Sequence, residues 1–350
     1  MVFGLMGLLI ASMAVGAFIY INSALSPVNE KSKNIVEITI SRGSSVGTIA
    51  KRLEDQGVIK DERVFRYYVK LKNEQSFQAG NYAFSQAMSV KEIIRSLQTG
   101  ESAQKPKIRL PIPEGSQLVQ ISEIIAANTG YTKEQVLKKM SDKQFIQILS
   151  KKYPDLITNE VFAKNIKYPL EGYFYPATYS FYTDKVSLEE ILDKMVGKTN
   201  EVIHKYKPLM KEKNVTSHKL LTMASLIEEE ATEKTDREKI ASVFYNRLEA
   251  GMPLQTDPTV LYALGEHKDR VFYKDLKVES PYNTYKVKGL TPGPIANAGE
   301  LSIVAALKPA ETEYLYFLAT STGEVIFTKT LEEHNKQKAL HITKQENTSS

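Results

Sequence analysis

The chain has 350 residues, of which 42% are hydrophobic and none is cysteine. That length suggests two or three domains, and the lack of cysteine excludes a disulfide framework, a zinc–thiolate site and a thiol nucleophile. The formal net charge of +5 is small and spread along the chain, so it does not indicate nucleic-acid binding, although it is compatible with an anionic membrane surface or wall polymer.

Residues 1–25 are predicted to form a transmembrane anchor. The segment 1–21 is apolar, and no charged residue precedes Glu30. About 20 apolar residues span a bilayer core, whereas the apolar part of a cleaved signal peptide usually has about 7–15. A signal peptide and a buried soluble helix are the alternatives. No basic residue precedes the segment, so charge alone does not set its topology.

Residues 35–103 are predicted to form a small module. Its elements are an alternating strand at residues 36–40, a helix capped by Ser44 or Ser45, a helix from Asp61, a short strand at 80–84 and a helix capped by Ser89. The strand–helix–helix–strand order resembles a LysM-like module, which implies glycan binding. A structural spacer is the alternative.

Residues 104–340 are predicted to form a larger mixed α+β domain, and the fold class of the whole chain is therefore α+β. Helices are expected near residues 117–129, 132–141, 142–150, 188–205, 220–231, 238–250 and 301–307, and a closing hairpin at 314–318 and 325–328. Residues 254–259, 280–285 and 289–296 are expected to be loops, which carry sites more often than cores do. The aromatic stretch 170–179 is either a sugar-stacking surface or a core strand.

Three carboxylates, Glu228, Glu229 and Glu230, end an otherwise apolar helical segment. At about 100° per residue, Glu229 falls opposite the buried stripe and is expected to face water, whereas Glu230 falls at an apolar flank. A carboxyl at such a flank loses hydration, which raises its pKa. A carboxylic acid that stays protonated near neutral pH can protonate a leaving oxygen, as glycosidic cleavage requires. A solvated helix end is the alternative.

No metal site and no cofactor are expected. The five histidines include no HExxH pair or other ligand spacing. A GxSxG elbow, a P-loop and a dinucleotide fingerprint are also missing, which argues against those hydrolase and nucleotide-binding classes.

The motifs taken together resemble the YceG-like, MltG-type endolytic murein transglycosylases. They are MASLIEEEA (223–231), VFYNRL (243–248), GMPLQTDPTVLY (251–262), YNTY (282–285), GLTPGPIANAG (289–299) and HN (334–335). The resemblance runs from the anchor to about residue 336. It implies a single-pass protein of the plasma (inner) membrane, with an extracytoplasmic catalytic domain that acts on peptidoglycan glycan strands alongside peptidoglycan synthases.

The resemblance also implies the reaction and its residues. Cleavage between N-acetylmuramic acid and N-acetylglucosamine leaves a 1,6-anhydromuramic end and terminates strand elongation. The family's catalytic acid is the last of its Ser-x-x-Glu-x-Glu run, which here is Glu230, and the middle position, commonly Lys in relatives, is Glu229. The candidates for holding the sugar are Gln255, Asp257, Asn283 and Tyr285, whose alternative role is loop architecture.

Two other functions stay open from the sequence. Glu230 and Asp257 would serve as acid and base in a muramidase that adds water. A membrane-anchored, glycan-binding scaffold that recruits synthesis enzymes would need no catalytic group at all.

Overall fold

The computed structural model describes residues 2–32, 34–74, 76–101, 105–232, 235–265, 271–320 and 323–343. The chain divides into two compact units, Met1–Lys107 and Ile108–Ser350. Both combine helices with two-stranded antiparallel sheets, so the α+β fold class is confirmed. The assignment of an anchor to residues 1–25, a glycan-binding module to 35–103 and a catalytic domain to 104–340 stays a prediction.

The first unit has the order of strands and helices that the sequence predicts. It contains α1 (Val2–Leu25), β1 (Ile35–Ile40), α2 (Val46–Asp55), α3 (Glu62–Lys72), β2 (Gly80–Ser85) and α4 (Val90–Thr99). Ile35 lies opposite Ser85 in the β1–β2 pair. Ser45 caps α2 by accepting a bond from the Thr48 backbone, and Ser89 caps α4. These hydroxyls satisfy backbone N–H groups that have no partner inside the helix. A LysM-like character is not shown by this order alone.

The start of the chain is helical, as α1. Near the C-terminal end of α1, the Tyr20 hydroxyl donates to the carboxylate of Asp61 at 2.5 Å, and Asp61 also caps α3. Within the part of the chain that the structure describes, no helix is both long enough and apolar enough to cross a membrane. The anchor predicted for residues 1–25 therefore stays a prediction.

The second unit is built mainly from helices. Its first elements are β3 (Ile108–Pro111), α5 (Leu118–Asn128), α6 (Lys133–Met140), α7 (Lys143–Lys152), a 3₁₀ turn (Asn159–Phe162), β4 (Thr178–Phe181) and α8 (Leu188–Glu212). They are followed by α9 (Ser217–Glu230), α10 (Arg237–Glu249), α11 (Asp257–Leu264), a 3₁₀ turn (Asp275–Lys277), α12 (Glu300–Leu307), β5 (Tyr316–Ala319), β6 (Val325–Thr328), α13 (Leu331–Lys338) and a π-helical turn (Ala339–Thr343). Strands β3 and β4 pair antiparallel, as do β5 and β6.

Helix α9 is the central element of this unit. It packs against α10, α11 and α12, and nearly every residue from Ser217 to Glu228 is buried. A helix that is covered on all sides belongs to the interior of a domain, and no solvent face sets its rotation. Lys219 in the first turn is exposed, and Glu229 and Glu230, at the C-terminal end, are partly exposed.

One local prediction is wrong in part. The loop predicted for residues 254–259 becomes helical at Asp257, where α11 begins although Pro258 follows. The first turn tolerates proline because its backbone N–H would have no helical partner there anyway. The aromatic stretch 170–179 is mostly turns, and Tyr173 and Phe174 are fully buried. Those two rings are core residues and cannot stack on a sugar.

Candidate active site

The C-terminal end of α9 is covered by residues 292–299, which come from the segment before α12. The Ile295 backbone N–H donates to the Ser225 hydroxyl at 3.0 Å, and the Gly299 N–H donates to the Glu228 carboxylate at 2.9 Å. The segment is thus attached to α9 at two successive turns. This attachment fixes one wall of the site.

Asn297 and Glu171 join this segment to two other loops. The Asn297 amide accepts the Phe174 N–H at 2.8 Å and donates to the Ser116 carbonyl at 2.8 Å and to Glu171 at 3.2 Å. Glu171 also accepts the Leu118 N–H at 3.1 Å. Burial raises the pKa of the Glu171 carboxyl to about 8. A buried network of this kind holds the loops 113–116, 170–176 and 292–299 in one arrangement.

A close backbone contact strengthens the same junction. Gly172 has φ +83°, which favours glycine. A Cβ atom at this position would lie 2.4 Å from the Cβ atom of Pro294. Any other residue at 172 would therefore push the two loops apart.

Glu228 is buried in a structural ion pair. Its carboxylate lies 3.4 Å from the Arg237 guanidinium, and both side chains are mostly buried. Arg237 also donates to the Ser302 hydroxyl on α12 at 3.1 Å. With Arg237 and the Gly299 N–H as partners, this carboxylate serves to join α9, α10 and α12.

Glu230, two residues later, has a different environment. It accepts a hydrogen bond from the Thr256 hydroxyl, and burial raises its pKa to about 7. The Thr256 bond and the Arg247 charge oppose this rise, while the Asp257 charge adds to it. A carboxyl with such a pKa holds or releases a proton near neutral pH, which suits a group that acts as acid and then as base.

A set of buried threonines positions the Thr256 hydroxyl. The Thr256 N–H donates to the Thr284 hydroxyl at 3.1 Å, and the Thr259 hydroxyl donates to the Thr256 carbonyl at 2.7 Å. The hydroxyls of Thr259 and Thr284 lie 2.8 Å apart. Since all three residues are buried, the orientation of Thr256 towards Glu230 is set by both α11 and the loop at 282–285.

The expectation that Glu229 faces water is wrong. Its side chain is half-buried, with a carboxylate oxygen 3.1 Å from where a Cβ atom on Gly115 would be. Burial and the charges of Glu228 and Glu230 raise its pKa to about 7. The loop at residues 113–116 covers the side of α9 that the helical projection left open.

Three of the four sugar-binding candidates lie on the open side of the site. Gln255 is exposed, has the left-handed φ of 51°, and donates its N–H to the Thr284 carbonyl at 3.2 Å. Asp257 is exposed and accepts the hydroxyl of the half-buried Tyr285 at 2.6 Å. The charge of Glu230 contributes to the raised pKa of Tyr285, whose main cause is burial. These three residues are therefore placed beside Glu230.

Asn283 differs from these three residues in its surroundings. It is fully buried, and its amide donates to the carbonyls of Leu276 and Val278 at 2.9 Å each. Its side-chain oxygen accepts the Tyr285 N–H at 3.0 Å. Every polar atom of the side chain is thus used inside the loop, which favours the architectural role over contact with a sugar.

No role is predicted for Arg247 from the sequence, and the structure places it behind the site. Its guanidinium is buried and donates to the carbonyls of Leu315 at 2.6 Å and Leu254 at 2.7 Å. It also lies over the ring of Tyr316, 5.1 Å from the centroid. Arg247 thereby holds the segment that leads to Thr256. Arg247 lies in the VFYNRL motif, which could have drawn attention to it, but its place on an amphipathic helix equally suits a solvated arginine.

The arrangement as a whole can perform general acid–base chemistry. Two neighbouring carboxyls, Glu229 and Glu230, have pKa values raised to about 7, and Glu230 also accepts a hydrogen bond from the Thr256 hydroxyl. Among the described residues, no group of three or more His, Asp or Glu side chains could hold a metal ion. A carboxyl with a pKa near neutrality can both give and take a proton, and the surroundings of Glu230 are compatible with that chemistry.

Comparison with known proteins gives a consistent result. The family model described as the YceG-like family matches residues 38–340. An endolytic murein transglycosylase of Bacillus subtilis strain 168 is 57% identical over 328 residues, which cover 94% of this chain and 91% of that protein. An endolytic murein transglycosylase of Streptococcus pneumoniae strain D39 is 35% identical over 338 residues. The match covers 92% of this chain and 61% of that protein. A crystal structure of a yceG-like protein from Listeria monocytogenes is 52% identical, with a TM-score of 0.65, and covers 88% of this chain and 100% of the crystallised one.

Proposed function

This chain belongs to the YceG-like family, and from that premise we propose that it is an endolytic murein transglycosylase. It is a lyase that cuts peptidoglycan glycan strands between N-acetylmuramic acid and N-acetylglucosamine. The new end is 1,6-anhydromuramic acid, so the cut terminates strand elongation without adding water. The single observation that carries the mechanism is the carboxyl of Glu230, which has a pKa near 7 and one oriented hydrogen-bond donor.

Glu230 performs both proton transfers. In the first half of the reaction, its protonated carboxyl donates to the glycosidic oxygen as the bond to the muramic C1 breaks. In the second half, the carboxylate takes the proton of the muramic C6 hydroxyl, whose oxygen attacks C1 and closes the anhydro ring. Thr256 donates to the carboxylate in the interval, when the charge of Glu230 needs a partner most.

The exposed polar residues hold the sugar. We assign Gln255, Asp257 and Tyr285 to substrate contact, since they lie beside Glu230 on accessible loops. The Tyr285–Asp257 bond keeps the Asp257 carboxylate in a defined place, where it can stabilise an oxocarbenium-like state electrostatically. Asn283 contributes by shaping the loop that carries Tyr285.

The test is the mass of the product ends. Purified glycan strands incubated with the protein should yield ends that are one water lighter than hydrolysed ends. Hydrolysed ends, together with their loss in Asp257→Asn, would establish a muramidase that uses Glu230 and Asp257. Binding without any new ends would establish a scaffold. The wild-type protein and Glu230→Gln, compared in parallel, separate the three outcomes.

Two further assignments concern location and partners. We propose that residues 1–25 anchor the protein in the plasma membrane, that the rest lies outside the cytoplasm, and that peptidoglycan synthases are its neighbours. The apolar sequence and the polymeric wall substrate support this assignment. A reporter fused after Ser350 should be active only in an extracytoplasmic assay, and release of the protein from membranes by salt would contradict the anchor.

The first unit, in this proposal, is a LysM-like glycan-binding module. Support comes from the β1–α2–α3–β2 order and from a core independent of the second unit. Its contribution is to hold the strand, while the second unit carries the acid and base.

A further inference from the structure

A groove lies in the first unit between the first turn of α2 and the outer face of α3, with a volume of about 740 Å³. One wall contains Gly47, and the other contains Arg63, Arg66, Tyr67 and Lys70. Residues spaced by three, four and seven positions share one face of a helix. The four α3 side chains therefore form a single exposed row along the groove.

Two of these cations have no counter-charge among the residues that the structure describes. Arg63 pairs with Asp61 at 3.1 Å. Arg66 and Lys70 make no ion pair within the described residues, and the Arg66 guanidinium lies along the Gly47 wall. A recess with uncompensated cations attracts an anion, and a guanidinium binds a carboxylate with two parallel hydrogen bonds.

Tyr67 adds an aromatic surface to the same row. Its side chain is 70% exposed beside the groove, so its ring face is accessible to a ligand. Aromatic faces pack on the apolar faces of sugar rings, while nearby polar groups fix the orientation. The groove therefore matches a ligand that carries both sugar rings and carboxylates.

We propose that this groove binds the peptide-bearing glycan strand, with stem carboxylates on Arg66 and Lys70 and a sugar ring on Tyr67. The choice of this polymer rests on the proposed function. The groove distinguishes strands with peptide stems from strands without them, because bare glycan lacks the carboxylates that the two cations bind. The first unit thus selects strands that keep their peptide stems.

The experiment compares two variants of the full chain, R66Q/K70Q and K91Q/R95Q. Both remove two exposed cations four residues apart, from α3 in the first variant and from α4 in the control. Each is combined with Glu230→Gln so that strands stay intact. Affinity is measured for strands with peptide stems, for strands stripped of stems by an amidase, and for vesicles containing anionic phospholipid.

R66Q/K70Q should bind stem-bearing strands about tenfold more weakly, with a reduced dependence on salt, and the control should bind them as the parent does. R66Q/K70Q and the control K91Q/R95Q should bind stripped strands with equal affinity. Tyr67→Ala should weaken both kinds of strand. Equal affinity of R66Q/K70Q and the control for stem-bearing strands would overturn the proposal, as would a loss confined to vesicles, which would assign the groove to lipid headgroups.

Failure of this inference is distinguishable from failure of the proposed function. R66Q/K70Q with an intact Glu230 should still release anhydro ends at saturating strand concentration, with a raised KM. If the wild-type protein releases anhydro ends and the groove variants bind strands normally, only the groove assignment falls. If the wild-type protein releases none, the proposed function falls first.

Discussion

Two carboxyls on α9 that are separated by one residue have opposite surroundings. Glu228 faces Arg237 and the Gly299 N–H, which provide the charge and hydrogen bond that a carboxylate needs. Glu230 accepts a hydrogen bond from the Thr256 hydroxyl, and its burial opposes ionisation. The first environment gives a carboxylate its partners and joins three helices. The second favours the protonated carboxyl, and this difference is why we propose Glu230, and not Glu228, as the acid.

The largest expected effect comes from removing the proton carrier. Glu230→Gln keeps size and polarity but cannot cycle a proton, so release of anhydro ends should fall by at least about 10²–10⁴-fold. Mass spectrometry of the product ends measures this loss. Full turnover in a well-folded Glu230→Gln protein would reject the mechanism.

The same variant predicts a pH-dependent change in stability. The pKa of Glu230 is about 7 in the folded chain, above that of an unfolded glutamate, so its ionisation costs stability as the pH rises. Glu230→Gln removes this cost. Its melting temperature should exceed that of the wild type above pH 7 and converge with it below about pH 4. A uniform difference at every pH would contradict the raised pKa.

The next largest effect tests the Thr256 hydroxyl, which donates a hydrogen bond to Glu230. Activity that needs protonated Glu230 should decline as the pH rises through about 7. Thr256→Val removes the bond that favours the carboxylate, so the decline should move about one unit higher and turnover should fall several-fold. Thr256→Ser, which keeps the hydroxyl, is the matched control. Identical pH profiles for the valine and serine variants would show that the hydroxyl has no part in tuning the acid.

Disrupting the Glu228–Arg237 ion pair should affect turnover less but should clearly lower stability. Glu228→Gln leaves the mostly buried Arg237 without its counter-charge and should lower the free energy of unfolding by about 1–3 kcal/mol. Turnover should fall only a few-fold. The double variant E228Q/R237Q should recover part of the stability, which a double-mutant cycle measures. A collapse of turnover with an unchanged melt would make Glu228 a chemical group.

The smallest effect on turnover is expected at Glu229, which lies between Glu228 and Glu230. Glu229→Gln should leave turnover within about threefold of the wild type. Because burial and neighbouring charges raise the pKa of Glu229, this variant should melt at a higher temperature above pH 7. A loss of turnover as large as that of Glu230→Gln would assign part of the proton transfer to Glu229.

The helices of the first unit could be predicted from the sequence because each has one buried face. In α3, Phe65 and Val69 are buried one turn apart while the opposite side is solvated. Helical periodicity locates such a face directly. In α9 the same reasoning failed for Glu229, because the whole helix is interior and its sides are covered by segments that lie far away in the chain.

The proposed acid could be singled out from the sequence, but the residues that surround it could not. Glu230 is marked by a local run of residues and by resemblance to a known family. Arg247 and Asn297 act through bonds to residues 68 and 181 positions away, Leu315 and Ser116. No local pattern encodes contacts of that separation. The start of α11 was missed for a different reason, since Pro258 suits both a loop and the first turn of a helix.

The segment at residues 292–299, which covers the end of α9, is synthesised after the residues that it covers. A chain whose synthesis has reached residue 280 already contains Glu230 and Thr256. It still lacks Ile295 and Gly299, whose N–H groups bond to α9, and Pro294, which lies against Gly172. Chains grow at about 5–20 residues per second, so residues 292–299 are added seconds after Glu230. We therefore expect the native surroundings of the α9 end to form only late in synthesis.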